Sequence, residues 1–123
     1  MRQIQIYENA DILCEELAEA LPISASISEP IHIALSGGST PTLLFEKMTA
    51  VDDPDAFMNT HFYWVDERHV PEDDPESNYA VFRRLLVDTG IVPVENVHPI
   101  KYHPDIHQMA ANYEQELRQL VPF

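Results

Sequence analysis

Apolar and polar positions along this chain recur in short blocks, and the blocks predict strands and helices in alternation. Residues 3–7 alternate, with Ile4 and Ile6 on one side, and predict a strand. Asn9 or Asp11 opens a helical pattern that runs to about Leu21, where Pro22 is expected to end it. Residues 24–30 read as a polar loop, 31–35 as the central strand and 40–48 as a helix. A loop over 52–59, with room for one helical turn, leads to an aromatic and β-branched strand over 62–65. Residues 71–77, rich in Asp, Glu and Pro, predict an exposed loop. An amphipathic helix over 78–87, a short strand over 97–100 and a terminal helix over 106–120 complete the pattern. Such alternation implies βαβ units with right-handed crossovers. The expected fold is α/β, three-layered, with a mostly parallel sheet and helices on both faces: a partial Rossmann-like unit. Residues 1–123 read as one domain, without repeats or low-complexity segments.

Two strand ends carry candidate chemistry. The 31–35 strand runs into Gly37 and Gly38, then Ser39, Thr40 and Pro41 at a helix start. Adjacent glycines permit positive φ and close approach to the backbone. Ser39 or Thr40 is expected as the N-cap, and Pro41 suits a first helical turn. The result would be a cluster of free N–H groups at the positive end of a helix, which suits phosphate or another anion. A plain strand-to-helix connection would also favour Gly, Ser and Pro, but leaves two glycines beside two hydroxyls unexplained. No Lys follows at P-loop spacing, and three spaced glycines are lacking, so neither nucleotide fingerprint fits.

The second strand end is Asp66-Glu67-Arg68, directly after residues 62–65. Ligands of open α/β sheets lie beyond the carboxyl ends of the strands, so both clusters should share one rim. Arg68 offers a planar fork for an oxyanion or phosphate. Asp66 could orient a hydroxyl or accept a proton. Glu67 reads more simply as half of a solvated ion pair. Asn78 either caps the helix after the acidic loop or turns its amide toward a substrate.

Charge narrows the partners. Twenty-one acidic against seven basic residues give −14, which opposes nucleic acid and anionic membrane surfaces. It also repels a phosphate at long range, but screening within about 8 Å at physiological salt leaves the local groups to decide. Cys14 stands alone and fits a small core residue, so no disulfide can form within the chain. With no apolar signal segment or membrane-length run, a reducing, cytoplasmic setting is expected. His103 and His107 are four apart, but Pro104 disfavours helical geometry at His103, and surface imidazoles are expected there rather than a metal. His69 could border the site. Asp73, Asp74 and Glu76 lack the glycine and terminal Glu of a calcium loop and read as a solvated run. Arg83 and Arg84 are expected to face solvent.

Leu35-Ser-Gly-Gly-Ser-Thr-Pro41, Trp64-Val-Asp-Glu-Arg68, Val70-Pro71, Asp73-Asp74, Ser77-Asn78-Tyr79 and Asn96-Val97-His98-Pro99-Ile100 together resemble the 6-phosphogluconolactonase family. Order and spacing agree over nearly the whole chain. The related glucosamine-6-phosphate deaminases share the glycine turn but typically carry Asp-Glu-Tyr where this chain has Arg68. The resemblance also implies something missing. Family members are roughly twice this length, and their second half holds a Gly-x-Asp-Gly-His-Thr-like motif whose His is taken as the general base. Here the glycines are Gly37, Gly38 and Gly90, and none precedes His. The expectation is an amino-terminal half, whether cut short or genuinely split.

What the resemblance implies is hydrolysis of 6-phosphogluconolactone without metal or organic cofactor. Phosphate would rest on Gly37, Gly38, Ser39 and Thr40, Arg68 would face the developing oxyanion, Asp66 would assist, and Asn78 would touch substrate. Two other readings stay open: a deaminase-like isomerase using Asp66, and a sugar-phosphate-binding or regulatory module without catalysis. A bare fragment that self-associates through an unfinished sheet edge is a further possibility.

Overall fold

The computed structural model describes residues 1–24 and 29–122. Helix α1, Ala10–Ser24, precedes strand β1, Ile31–Leu35, and helix α2, Ser39–Met48. Strand β2, Thr60–Trp64, helix α3, Asn78–Phe82, strand β3, Val97–His98, and helix α4, Ile106–Leu120, follow. Beyond α3 the helix widens into a π turn, Arg83–Val87, closed by Asp88 N donating to Arg83 O at 2.8 Å.

The strands are parallel and ordered β1-β2-β3. Ile33 lies opposite Phe62, Leu35 opposite Trp64, and Phe62 opposite Val97. Side chains alternate along each strand, so this register gathers Ile33, Leu35, Phe62, Trp64 and Val97 on one face. They pack with Phe45 and Met48 of α2, Phe82 of α3 and Leu86 of the π turn. The other face carries His32, His61, Tyr63 and His98 beneath α4. There Tyr113 donates its hydroxyl to His98 O at 2.8 Å and accepts from Trp64 N at 3.1 Å. Burial pushes the Tyr113 phenol up to about 12. Helices thus cover both faces, as the alternating pattern predicts.

Several boundaries differ from the sequence reading. Residues 3–7 form no strand; Ile4 is 84% and Ile6 91% exposed. A strand needs a neighbour to satisfy its amides, and no described strand pairs with this segment. Asn9 rather than Asp11 opens α1, its Oδ1 accepting from Ile12 N at 2.9 Å; Asp11 instead meets Lys47 at 2.9 Å. Pro22 lies inside α1, two residues before its end, where its missing N–H costs one bond but leaves little helix beyond to break. Of the expected 24–30 loop, residues 25–28 lie outside the described residues. β1 is an edge strand of this sheet, not its centre. β2 starts two residues earlier than the aromatic run suggests and ends before Val65. β3 stops at His98 because Pro99 offers no N–H.

The His61–His98 pair makes stability pH-dependent. His61 Nδ1 lies 2.9 Å from His98 Nε2, a bond that needs one proton and one lone pair. Around it are His32, 3.0 Å from the Tyr63 hydroxyl, Glu116, 3.9 Å from His98 Nδ1, Tyr113 and Lys101. Burial pushes both imidazoles below their ordinary 6.5, with His32 adding to the effect on His61 and neighbouring His61, His32 and Lys101 on His98. As pH falls through 6.5 the unfolded chain takes up protons that the folded layer refuses, so this stabilisation is present above 6.5 and lost on acidification. Urea midpoints should fall between pH 7.5 and pH 5.5, above the range where most carboxylates titrate. The H61Q/H98Q double variant should show a flatter profile over that interval. An equal slope in both proteins would remove the pair as the cause.

Candidate functional site

At the rim beyond β1 and β2, the glycine turn is built by two different constraints. Gly38 has φ 115° and ψ −173°, a region open essentially to glycine. Gly37 is needed for space: a Cβ there would overlap the side-chain amide of Asn78. The N-cap of α2 is Gly38 itself, with no side-chain cap bond, so neither Ser39 nor Thr40 fills that position. The reason is the backbone sign, which β-branched Thr and Ser avoid. The consequence is chemical. With no hydroxyl folded over them, the amides of Gly37, Gly38, Ser39 and Thr40 have no hydrogen-bond partner among the described residues. Regular pairing resumes at Thr42, whose N and Oγ1 donate to Gly38 O at 3.1 and 2.8 Å.

Two contiguous cavities meet at this turn. One, about 530 Å³, is lined by Gly37, Gly38, Ser39, Glu46 and Asn78 among others. The second, about 750 Å³, is walled by Gly38, Glu67, Arg68, His69, Glu76 and Asn78. Arg68 is exposed, and its guanidinium has no hydrogen bond or ion pair among the described residues. An unpaired cation therefore shares a wall with unpaired amides.

Its neighbour explains why Arg68 is unpaired. The expected ion pair of Glu67 does not form. Instead Oε1 accepts from Arg68 N at 2.8 Å and Asn78 N at 2.7 Å. Oε2 accepts from Ser77 Oγ at 2.9 Å and Tyr79 N at 3.1 Å. These donors were within reach because the 68–77 segment folds back on the β2 tip, which no local pattern announces. Ser77, 2% exposed, is the N-cap of α3 and accepts from Ala80 N at 3.3 Å. Asn78 is therefore not the cap. Its Nδ2 donates to Asp66 O at 2.8 Å and reaches Asp66 Oδ1 at 3.4 Å, while the amide lies against Gly37.

The structure thus brings Gly37, Gly38, Ser39, Arg68 and Asn78 together around the two cavities, with Thr40 and Asp66 adjoining them. Thr40 lines neither cavity, although its amide is at the helix start; its carbonyl accepts from the buried Cys14 Sγ at 3.7 Å. Asp66 borders a hollow with Val65, Ile100, Ile106 and Met109 that shares Glu67 and His69 with the larger cavity, and its Oδ1 lies 3.4 Å from Asn78 Nδ2. His69 does border the site, with Nε2 2.8 Å from His103 O and its ring against Tyr102. His103 Nδ1 accepts from Asp105 N at 3.0 Å, the residue that caps α4. Among the described residues, no group of three His, Cys, Asp or Glu has a metal-binding arrangement. None of the described helices is long and apolar enough to cross a membrane.

Comparison with known proteins identifies the family. The family described as glucosamine-6-phosphate isomerases/6-phosphogluconolactonase matches residues 7–122. A 6-phosphogluconolactonase of Haemophilus influenzae is 38% identical over 120 residues, spanning 94% of this chain and 51% of that protein. A solved structure called devB protein superposes with TM-score 0.88 at 33% identity, covering 97% of this chain and 51% of that one. The 6-phosphogluconolactonase of Trypanosoma brucei gives 0.83 at 27% identity, covering 99% and 52%. The chain spans about half the length of the relatives it matches.

Proposed function

This chain belongs to the glucosamine-6-phosphate isomerase/6-phosphogluconolactonase family, and from that premise we propose that it is the phosphate-gripping half of a 6-phosphogluconolactonase. The observation that carries the reading is the pairing of open amides on the Gly38-capped α2 with the unpaired Arg68 guanidinium on one cavity wall. A phosphate dianion on Gly38, Ser39 and Thr40 N–H groups gains charge-assisted hydrogen bonds and the α2 dipole. Arg68 then faces the lactone carbonyl. Water adds to that carbon, the carbonyl oxygen becomes an oxyanion, and the ring C–O bond breaks as its oxygen takes a proton, giving 6-phosphogluconate. A preorganised donor such as Arg68 stabilises the oxyanion. Asn78 touches the sugar, and Asp66 acts from the second rank, holding the Asn78 amide. The general base is the family's histidine, from residues outside these 123. The product suits the pentose phosphate pathway, and a lone buried cysteine suits a cytoplasmic setting.

The lactonase reading is preferred over the isomerase one because relatives 37–38% identical over most of this chain are named 6-phosphogluconolactonase. Titrating the ¹⁵N-labelled chain with 6-phosphogluconate should shift the Gly38, Ser39 and Thr40 amides saturably in the millimolar range, whereas gluconate should not. G37A should abolish those shifts and cost about 1–3 kcal/mol, because its methyl displaces Asn78. Unmoved amides, or equal response to gluconate, would overturn the reading.

A further inference from the structure

We propose that Glu67 is the positioning residue of the anion site, the single carboxylate from which Arg68, Asn78 and the glycine turn all take their placement. The inference rests on the sugar-phosphate reading above. Capping α3 does not require Glu67, since Ser77 already accepts from Ala80 N. What Glu67 adds is closure: it takes Arg68 N at one end of the 68–77 segment and Ser77 Oγ, Asn78 N and Tyr79 N at the other. One half-buried group thereby fixes the backbone that carries the guanidinium and the backbone that carries the Asn78 amide. That amide in turn lies against Gly37 and ties to Asp66 O.

The donor set matters as much as the geometry. All four donors to Glu67 are uncharged N–H or O–H groups. They occupy both carboxylate oxygens, which leaves the adjacent Arg68 side chain free to meet an incoming anion rather than an internal partner. A carboxylate beside a substrate dianion would otherwise repel it, and dispersing its charge over four donors weakens that repulsion. Glutamine has nearly the same shape but one acceptor oxygen. Its Nε2 would face the donors that Oε2 or Oε1 now accepts from, so part of the set is lost and two N–H groups oppose each other.

The test is 6-phosphogluconate affinity read from the Gly38 and Ser39 amides in the full chain, with folding followed by circular dichroism and thermal melting. E67Q should raise Kd about tenfold, the scale on which orienting partners matter, at temperatures where the variant remains folded. S77A is the comparison, because it removes the α3 cap and one donor but keeps the carboxylate. It should lower Tm while Kd stays within about twofold, inside ordinary context variation. If E67Q lowers Tm but leaves Kd unchanged, Glu67 is merely structural and the proposal fails. Equal Kd increases in E67Q and S77A overturn it as well. Should E67Q not fold, E67D replaces it: the charge stays, the reach shortens by one methylene, and a wild-type Kd would refute the role. Failure of the underlying reading looks different, because the unaltered chain would then not bind the ester at all.

Discussion

Given 6-phosphogluconolactone, the purified 123-residue chain is expected to hydrolyse it no faster than buffer does. The proposed anion grip and oxyanion donor lie in this chain, but the chemical step also needs a group to take the proton from water. General-base assistance supplies about 10²–10⁴ in rate, and a lactone already hydrolyses spontaneously, so losing the base removes most of the advantage. The competing source within the chain is His69, which borders the Arg68 cavity with Nε2 committed to the His103 carbonyl. That contact leaves Nδ1 with the lone pair. Its ring, however, is packed against Tyr102, with centroids 5.4 Å apart. Mixing the chain with a polypeptide covering the other half of a matched relative should restore turnover, and R68A in the mixture should lower kcat by about 10²–10³. Turnover by the chain alone, abolished by H69Q, would place the base among these residues and defeat the proposal.

Charge does not rescue or prevent that chemistry by itself. A net −14 raises the potential against a dianion over the whole surface, and ions screen it beyond about 8 Å. The α2 amides and Arg68 act inside that distance. Their advantage over bulk repulsion is that neither is spent on an internal partner, which the structure traces to Gly38 as cap and Glu67 as collector of uncharged donors.

The strand–turn–helix unit around Gly37 and Gly38 is legible from sequence because local rules determine it. Alternating apolar residues dictate β1, and two glycines break it where α2 begins. Sequence favours Ser39 or Thr40 as the cap because both are good caps on average; that Gly38 uses its freedom at φ 115° to take the position itself is decided by the fold. Residues 3–7 have the right alternation, yet alternation states only which side could be buried. It does not supply the neighbouring strand. Asn78 could be singled out but not oriented, because its direction depends on Asp66 O and on the missing Cβ of Gly37. Glu67 was legible as a structural residue and misread as an ion pair. Its donors are one residue away and ten to twelve residues away, and only the fold of the intervening loop joins them.

Phe82→Ala is expected to cost about 3–5 kcal/mol, the range for emptying a fully buried phenylalanine site. Phe82 is 0% exposed, with ring centroids 5.1 Å from Phe45 and Phe62 and 5.2 Å from Trp64. Three elements, α2, β2 and α3, meet on that one ring, so their relaxation into the space would have to be concerted. Domains of this size hold about 5–15 kcal/mol in total. This one spends part of its apolar surface in water: Val65 is 64% exposed, and Ile4 and Ile6 are exposed as well. The Trp64 indole N–H is also buried with no hydrogen-bond partner among the described residues, a further cost of about 1–3 kcal/mol. The variant should therefore be largely unfolded at room temperature, with near-ultraviolet ellipticity lost, whereas L120A at the exposed end of α4 should change stability by less than about 1 kcal/mol. A Phe82→Ala melt within a few degrees of the unaltered chain would displace the aromatic cluster as the core. The same substitution should erase the proposed anion site: Phe82 lies one helical turn beyond Asn78, and its burial against Phe45 of α2 sets how closely the start of α3 approaches Gly37, just ahead of α2.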